Sequence, residues 1–92
     1  MPTYYFDVYD NETLRPDDFG IELEDLYEAR TQAIALLSHI TGDAIPEGDH
    51  HAFKVVVRCQ SNRVRYIATL TLDGAWVEPP IGSKAPPISM SA

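Results

Sequence analysis

The side chains best suited to hold a metal ion lie together at Asp43, Glu47, Asp49, His50 and His51. Two imidazoles and three carboxylates so close in sequence can ligate a divalent cation. Their spacing matches no zinc or calcium template. Adjacent residues of an extended chain also point to opposite faces, which keeps His50 and His51 off a common ion. The segment reads as a solvated polar loop, and neither a metal nor any other cofactor is expected. His39, one helical turn from Asp43, reads as a surface or helix-capping side chain. Cys59 could serve as a nucleophile only with a positive neighbour or a helix terminus to depress its pKa. It instead continues the apolar alternation of Phe53, Val55 and Val57, which marks it as a small packing residue. Ser38 and Ser61 lie in no nucleophile elbow. Gly20, Gly42, Gly48, Gly74 and Gly82 are scattered rather than gathered into a phosphate-binding loop. Asp17, Asp18, Glu22 and Glu24 form an acidic cluster that could bind a cation or act as an acid–base pair. A turn followed by a negatively charged helix start accounts for it without function. No nucleophile, base and orienting group come together from these residues, so no catalytic residue is expected and the chain reads as a non-enzyme.

The distribution of charge is more informative. Residues 1–28 carry nine acids and one base, Arg15, whereas residues 54–65 carry four bases, Lys54, Arg58, Arg63 and Arg65, and no acid. A sheet that brings the two segments together would set Asp7 across from Arg58 or Arg65, pairs worth about 0.2–1 kcal/mol each. The same basic residues beside Tyr5 and Tyr9 could instead form a stacking platform for single-stranded nucleic acid. That alternative, an antitoxin-like or nucleic-acid-associated regulator, lacks a glycine–aromatic RNA-recognition signature. It is also opposed by a net charge of −7. The third possibility is a protein interface made of Tyr5, Tyr9, Lys54, Val56, Arg58, Arg65 and Ile67, an apolar and charged mixture of the kind that anchors protein partners.

These residues must be positioned by a small set of elements. Residues 1–9 alternate as a strand, with Tyr4, Phe6 and Val8 on one face. Asp10-Asn11-Glu12 is a turn, Thr13-Leu14 a short return strand ended by Pro16, and Asp17-Asp18-Phe19-Gly20 a second turn before Ile21-Glu22-Leu23. A helix is expected over residues 25–41, where Leu26, Ala29, Ala33, Leu36, Leu37 and Ile40 make one apolar stripe. Gly42 is placed to stop it and Pro46 to prevent its resumption. Two further strands follow, 53–59 and 63–72, joined by Gln60-Ser61-Asn62 and therefore antiparallel neighbours. In the second, Val64, Tyr66, Ala68, Leu70 and Leu72 are expected on the core face, and Arg65 and Ile67 on the other. The fold class expected is α+β, a two-layer sandwich in which one helix covers one face of an antiparallel three- or four-stranded sheet. The compact domain spans residues 1–72. Residues 73–92 hold four prolines without periodicity and read as a flexible tail, with Trp76 docked on the domain.

Tyr4-Tyr5-Phe6-Asp7-Val8, the Asp10 turn, Pro16-Asp17-Asp18-Phe19-Gly20-Ile21-Glu22-Leu23, the helix positions Leu26, Ala29 and Ala33, and Phe53-Lys54-Val55-Val56-Val57 make a pattern. It resembles a family of small bacterial proteins known as a domain of unknown function, common in soil and symbiotic alphaproteobacteria. The resemblance covers residues 1–72. The chain departs from the pattern in reading Asp10-Asn11-Glu12 where Asp-Gly is usual. The resemblance implies no activity and no catalytic residue. In architecture alone the layout is also similar to HicB-type antitoxin domains, which have a partial double-stranded-RNA-binding fold.

The whole chain sets the remaining bounds. Its 92 residues suit one domain, and its 14 acids against 7 bases disfavour nucleic acid and anionic membrane as partners. Cys59 is the single cysteine, so no internal disulfide can form, and a reducing, cytoplasmic setting is expected. Neither a signal peptide nor a membrane helix is read from the sequence. One helix cannot cover both faces of a sheet, and the open face suggests a homodimer or another protein partner.

Overall fold

The computed structural model describes residues 1–43, 48–78 and 80. Among these, one helix packs on an open antiparallel sheet of five strands, an α+β sandwich. The strands are β1 (Thr3–Asp10), β2 (Thr13–Arg15), β3 (Ile21–Glu22), β4 (His50–Cys59) and β5 (Val64–Asp73), and the helix α1 is Leu26–Asp43. The sheet order is β2-β1-β4-β5, with β3 also paired to β1. β2 meets Val8–Asp10 and β3 meets Thr3–Tyr4, so both lie along one edge of β1 with a gap between them.

The long strands form where β-branched and aromatic residues alternate. Tyr4 and Phe6 of β1 and Phe53, Val55 and Val57 of β4 turn one way and are buried with Ala29, Ala33 and Leu37 of α1. Ala29 and Ala33 are fully buried, and their small size lets the helix approach the sheet closely. β5 contributes only Tyr66 and Ala68, at the margin of this cluster. Leu70 and Leu72 stay 48% and 44% exposed: the helix lies over β4 and β5, but an open cleft beside Thr41 leaves these two leucines uncovered. Core membership expected of Leu70 is corrected accordingly.

Asp25 caps the helix: its Oδ1 accepts the Glu28 N–H at 2.9 Å, and Glu28 Oε2 accepts the Glu24 N–H at 2.8 Å. The helix does not stop at Gly42 but runs through it to Asp43. His50 and His51, expected in a loop, begin β4.

The hairpin between β4 and β5 contains an irregularity. Val57 pairs with Tyr66 but Arg58 pairs with Val64, leaving Arg65 as the extra residue of a bulge. Residues directly opposite share a face, so Val64 joins the side of Arg58, away from the helix, instead of continuing the Tyr66 row. It is 55% exposed.

Asn11 and Asn62 both have positive φ, 52° and 64°. Asn tolerates this conformation, as glycine does, so both turns form without a glycine at these positions. Asn11 also does what glycine could not, since its Oδ1 accepts the Ala52 N–H at 2.9 Å and clamps the first turn to β4. Among the described residues no helix is long and apolar enough to cross a membrane. Residues 81–92, most of the expected tail, lie outside the described residues, as does Glu47 of the expected polar loop. Trp76 is 45% exposed.

Candidate interaction face

The sheet surface away from the helix brings the expected residues together. Register places Tyr5 opposite Arg58, Asp7 opposite Val56, and Tyr9 opposite Lys54. Ile67 lies opposite Val56 from the other side. The basic segment therefore meets the acidic one inside the sheet.

Arg58 is the centre. Its Nε donates to Asp7 Oδ2 at 2.5 Å and its Nη2 to Asp7 Oδ1 at 3.0 Å, a two-bond fork that only a guanidinium makes. Nη2 also reaches the Asp17 carbonyl at 3.2 Å, and Nη1 donates to Asn62 Oδ1 at 2.7 Å. The Asp17 N–H donates to Asp7 Oδ1 at 2.9 Å. Asp17 in turn fills the gap between β2 and β3, where Phe6 has no strand partner on that edge. Its Oδ2 accepts the Phe6 N–H at 3.0 Å, and its Oδ1 accepts those of Phe19 and Gly20 at 3.0 and 3.2 Å. Gly20 has φ +74°, and a Cβ there would stand 2.6 Å from Thr3 Cγ2. Asp17 and Gly20 together thus fold the crossover tightly against β1.

The electrostatics follow from these bonds. The Arg58 hydrogen bonds hold Asp7 below its ordinary pKa of 3.8 against the opposing effect of burial. Burial pushes Asp17 up, but the N–H groups of Phe6, Gly20 and Phe19 outweigh it and hold this carboxyl low as well. Asp7 in turn raises Arg58. The acidic cluster seen in sequence is thereby divided: Asp17 is a structural acceptor, while Asp18, Glu22 and Glu24 are exposed.

The aromatic residues are also engaged. The Arg58 guanidinium lies 5.1 Å from the Tyr5 ring centre and Lys54 Nζ 4.5 Å from that of Tyr9. Beneath them Val56 is only 8% exposed, although it faces away from the helix. The long flanking side chains cover it. What stays open is the β5 margin, where Ile67 is 52% exposed, and Leu14 of β2, 45% exposed.

Two sites considered for chemistry resolve differently. His50 bonds Asp73 at 3.0 Å, whereas His51 bonds Asp10 and Asn11 and stacks on Phe53, so the two imidazoles do part to opposite faces. Among the described residues no three His, Cys, Asp or Glu side chains gather as a metal site. Cys59 is half-buried against the core margin, and its thiol is lowered from 9.0 to about 7, chiefly by the Ser61 hydroxyl 3.0 Å away. The sequence reading did not foresee the roles of Asp17 and Ser61. Asp17-Asp18-Phe19-Gly20 carried the only signal for the first, as an aspartate three residues before a glycine.

Residues 3–71 match the family described as Domain of unknown function (DUF6894). The chain belongs to this family. No curated protein and no solved structure was found to match it. In this DUF6894 chain, Tyr5, Asp7, Asp17, Gly20 and Phe53 all have a role in the fold. They build the β1 edge, its crossover and the core.

Proposed function

We propose that this DUF6894 domain is a non-enzymatic interaction module of the cytoplasm that associates with a protein partner, in the first instance a second copy of itself, through the open sheet face at its β5 margin. The observation that carries this is Ile67: it is 52% exposed beside a Val56 that is nearly buried, so the uncovered apolar surface is displaced toward β5. Tyr5, Tyr9, Lys54 and Arg58 frame the surface rather than fill it. The charged groups at the centre of this face, Asp7, Asp17 and Arg58, are spent on one another and on backbone N–H groups. The lone Cys59 fits a reducing compartment.

Sedimentation of the full chain at micromolar concentration tests the reading. A dimer is expected, and Ile67→Asp weakens it while the far-ultraviolet spectrum stays native. A monomer at every concentration, or an Ile67→Asp chain that unfolds, overturns it. The nucleic-acid alternative is weakened by the full engagement of Arg58, and it returns if mixed single-stranded oligonucleotides bind at micromolar concentration with a steep salt dependence.

A further inference from the structure

The two edges of the sheet are built differently. On the β1 side, β2 and β3 have three and two residues, and the chain between them bows outward through Pro16 and Asp17. Short strands, a proline and an interrupted ladder are the devices that stop an edge from pairing with another chain. β5, at the other end of the order, is ten residues long and holds no proline, glycine or lysine. A strand of that kind presents alternate N–H and C=O groups as a template for one more strand.

Apolar side chains flank this edge on both sides of the sheet. Ile67 lies on the outer side, and Leu70 and Leu72 on the helix side. Between α1 and β5 the helix leaves two clefts. One of 290 Å³ is lined by Leu26, Tyr27, Arg30 and Tyr66, and one of 360 Å³ by Thr41, Phe53, Leu70, Thr71 and Leu72. Tyr27, Arg30, Ile34 and Thr41 fall at helical spacings of three, four and seven, one stripe overhanging β5. Tyr27 is 80% exposed and Ile34 43%.

Resting on the self-association proposed above, we infer that the second copy joins edge to edge, β5 antiparallel to β5, about a twofold axis at Thr69. The two sheets then become one. The register follows from side and charge. Opposed residues must share a face, so only registers in which the two residue numbers add to an even sum are allowed. With Thr69 at the axis, Ala68 meets Leu70, Ile67 meets Thr71, Tyr66 meets Leu72, and Arg65 meets Asp73, each twice by symmetry. Asp73 is 73% exposed on its side chain, and Arg65 is exposed. Slipping two residues one way sets Asp73 against Ile67. Slipping the other way sets Leu72 against Val64, which the bulge has turned to the opposite face. The helix stripes then approach each other over the joined sheet and close the clefts with Tyr27 and Ile34.

The test uses the full chain at micromolar concentration and 0.3 M salt, read by sedimentation. Arg65→Asp and Asp73→Arg each place like charges together twice, so each weakens dimerisation by about five- to thirtyfold. Combined in one chain they restore it. Thr69→Cys in a Cys59→Ser background forms a disulfide-linked dimer on mild oxidation. Leu14→Glu, on the far side of the outer face, leaves the dimer intact. A dimer indifferent to the charge variants but lost in Leu14→Glu overturns the edge pairing in favour of stacked faces and leaves self-association standing. Single variants that weaken the dimer without rescue in the double overturn the register. A monomer throughout overturns both the pairing and the self-association on which it rests.

Discussion

At the scale of the residue, most of what the sequence offers as chemistry is used as structure. Arg58 stands in a basic run that suggests a nucleic-acid platform, yet its donors are taken by Asp7, Asp17 and Asn62. A charge that must leave one partner to meet another gives up a hydrogen-bonded fork, so this residue is a poor ligand for phosphate. The pH dependence of stability follows. Asp7 is held below 3.8 in the folded chain. A depressed carboxyl contributes stability fully above its unfolded pKa and loses it as pH falls through the folded value. Asp7→Asn should cost about 1–3 kcal/mol in urea unfolding, because it leaves a partly buried guanidinium short of its carboxylate. The cost is constant from pH 5 to 8, and the two curves converge below about pH 4, where wild type loses the same interaction. Arg58→Lys does not recover it, since an ammonium cannot make the fork. A cost unchanged at pH 2.5 would show that Asp7 acts through shape and not charge.

At the scale of the element, the helix and the long strands were legible because each is written in its own period. Leu26, Ala29, Ala33, Leu37 and Ile40 mark the helix face, and Phe53, Val55 and Val57 the buried row of β4. That Asp7 pairs with a basic residue of the later strands was legible too, from the charge blocks and the antiparallel order, though not which one: Arg58 reaches it diagonally, since Val56 stands opposite Asp7. Three features were not. The bulge at Arg58 depends on how two strands and the four-residue turn 60–63 settle together, and no alternation within one strand reveals it. The exposure of Leu70 and Leu72 depends on where the helix sits across the sheet. Ala29 and Ala33 let the helix approach β4 and β5, and the cleft it leaves beside Thr41 keeps these two leucines open. Gly42 looks like a stop and is passed through, because a single glycine costs only about 1 kcal/mol in a helix. The close helix–sheet contact gives a prediction at this scale. Ala33→Leu forces extra volume into a site with no exposure and should cost about 1–3 kcal/mol, a fall in Tm of at least about 4 °C. Ala35→Leu, on the exposed flank of the same helix, should leave Tm nearly unchanged. Equal effects of the two would mean that the alanines do not set the helix position.

At the scale of the whole molecule, net charge and edge pairing oppose each other, and salt decides which prevails. Each copy carries −7. Two four-strand-wide sheets joined at β5 place their centres about 19 Å apart, at about 4.8 Å per strand. Treated as point charges in water, the copies repel by about 10 kcal/mol before screening. Screening leaves about half of that at 0.01 M salt, where the Debye length is about 30 Å, and about a tenth at 0.15 M, where it is about 8 Å. The two Arg65–Asp73 contacts return about 0.2–1 kcal/mol each, which cannot offset the repulsion at low salt. Self-association should therefore tighten as salt rises from 0.01 to 0.3 M, the reverse of nucleic-acid binding, which weakens with salt through counterion release. Sedimentation across that range reads the sign directly. A dimer that loosens steadily with added salt would mean that attraction between unlike charges, not apolar closure of the β5 edge, holds the copies together. The interface would then have to be sought where the acidic residues of the amino-terminal third meet Arg63 and Arg65 of the partner.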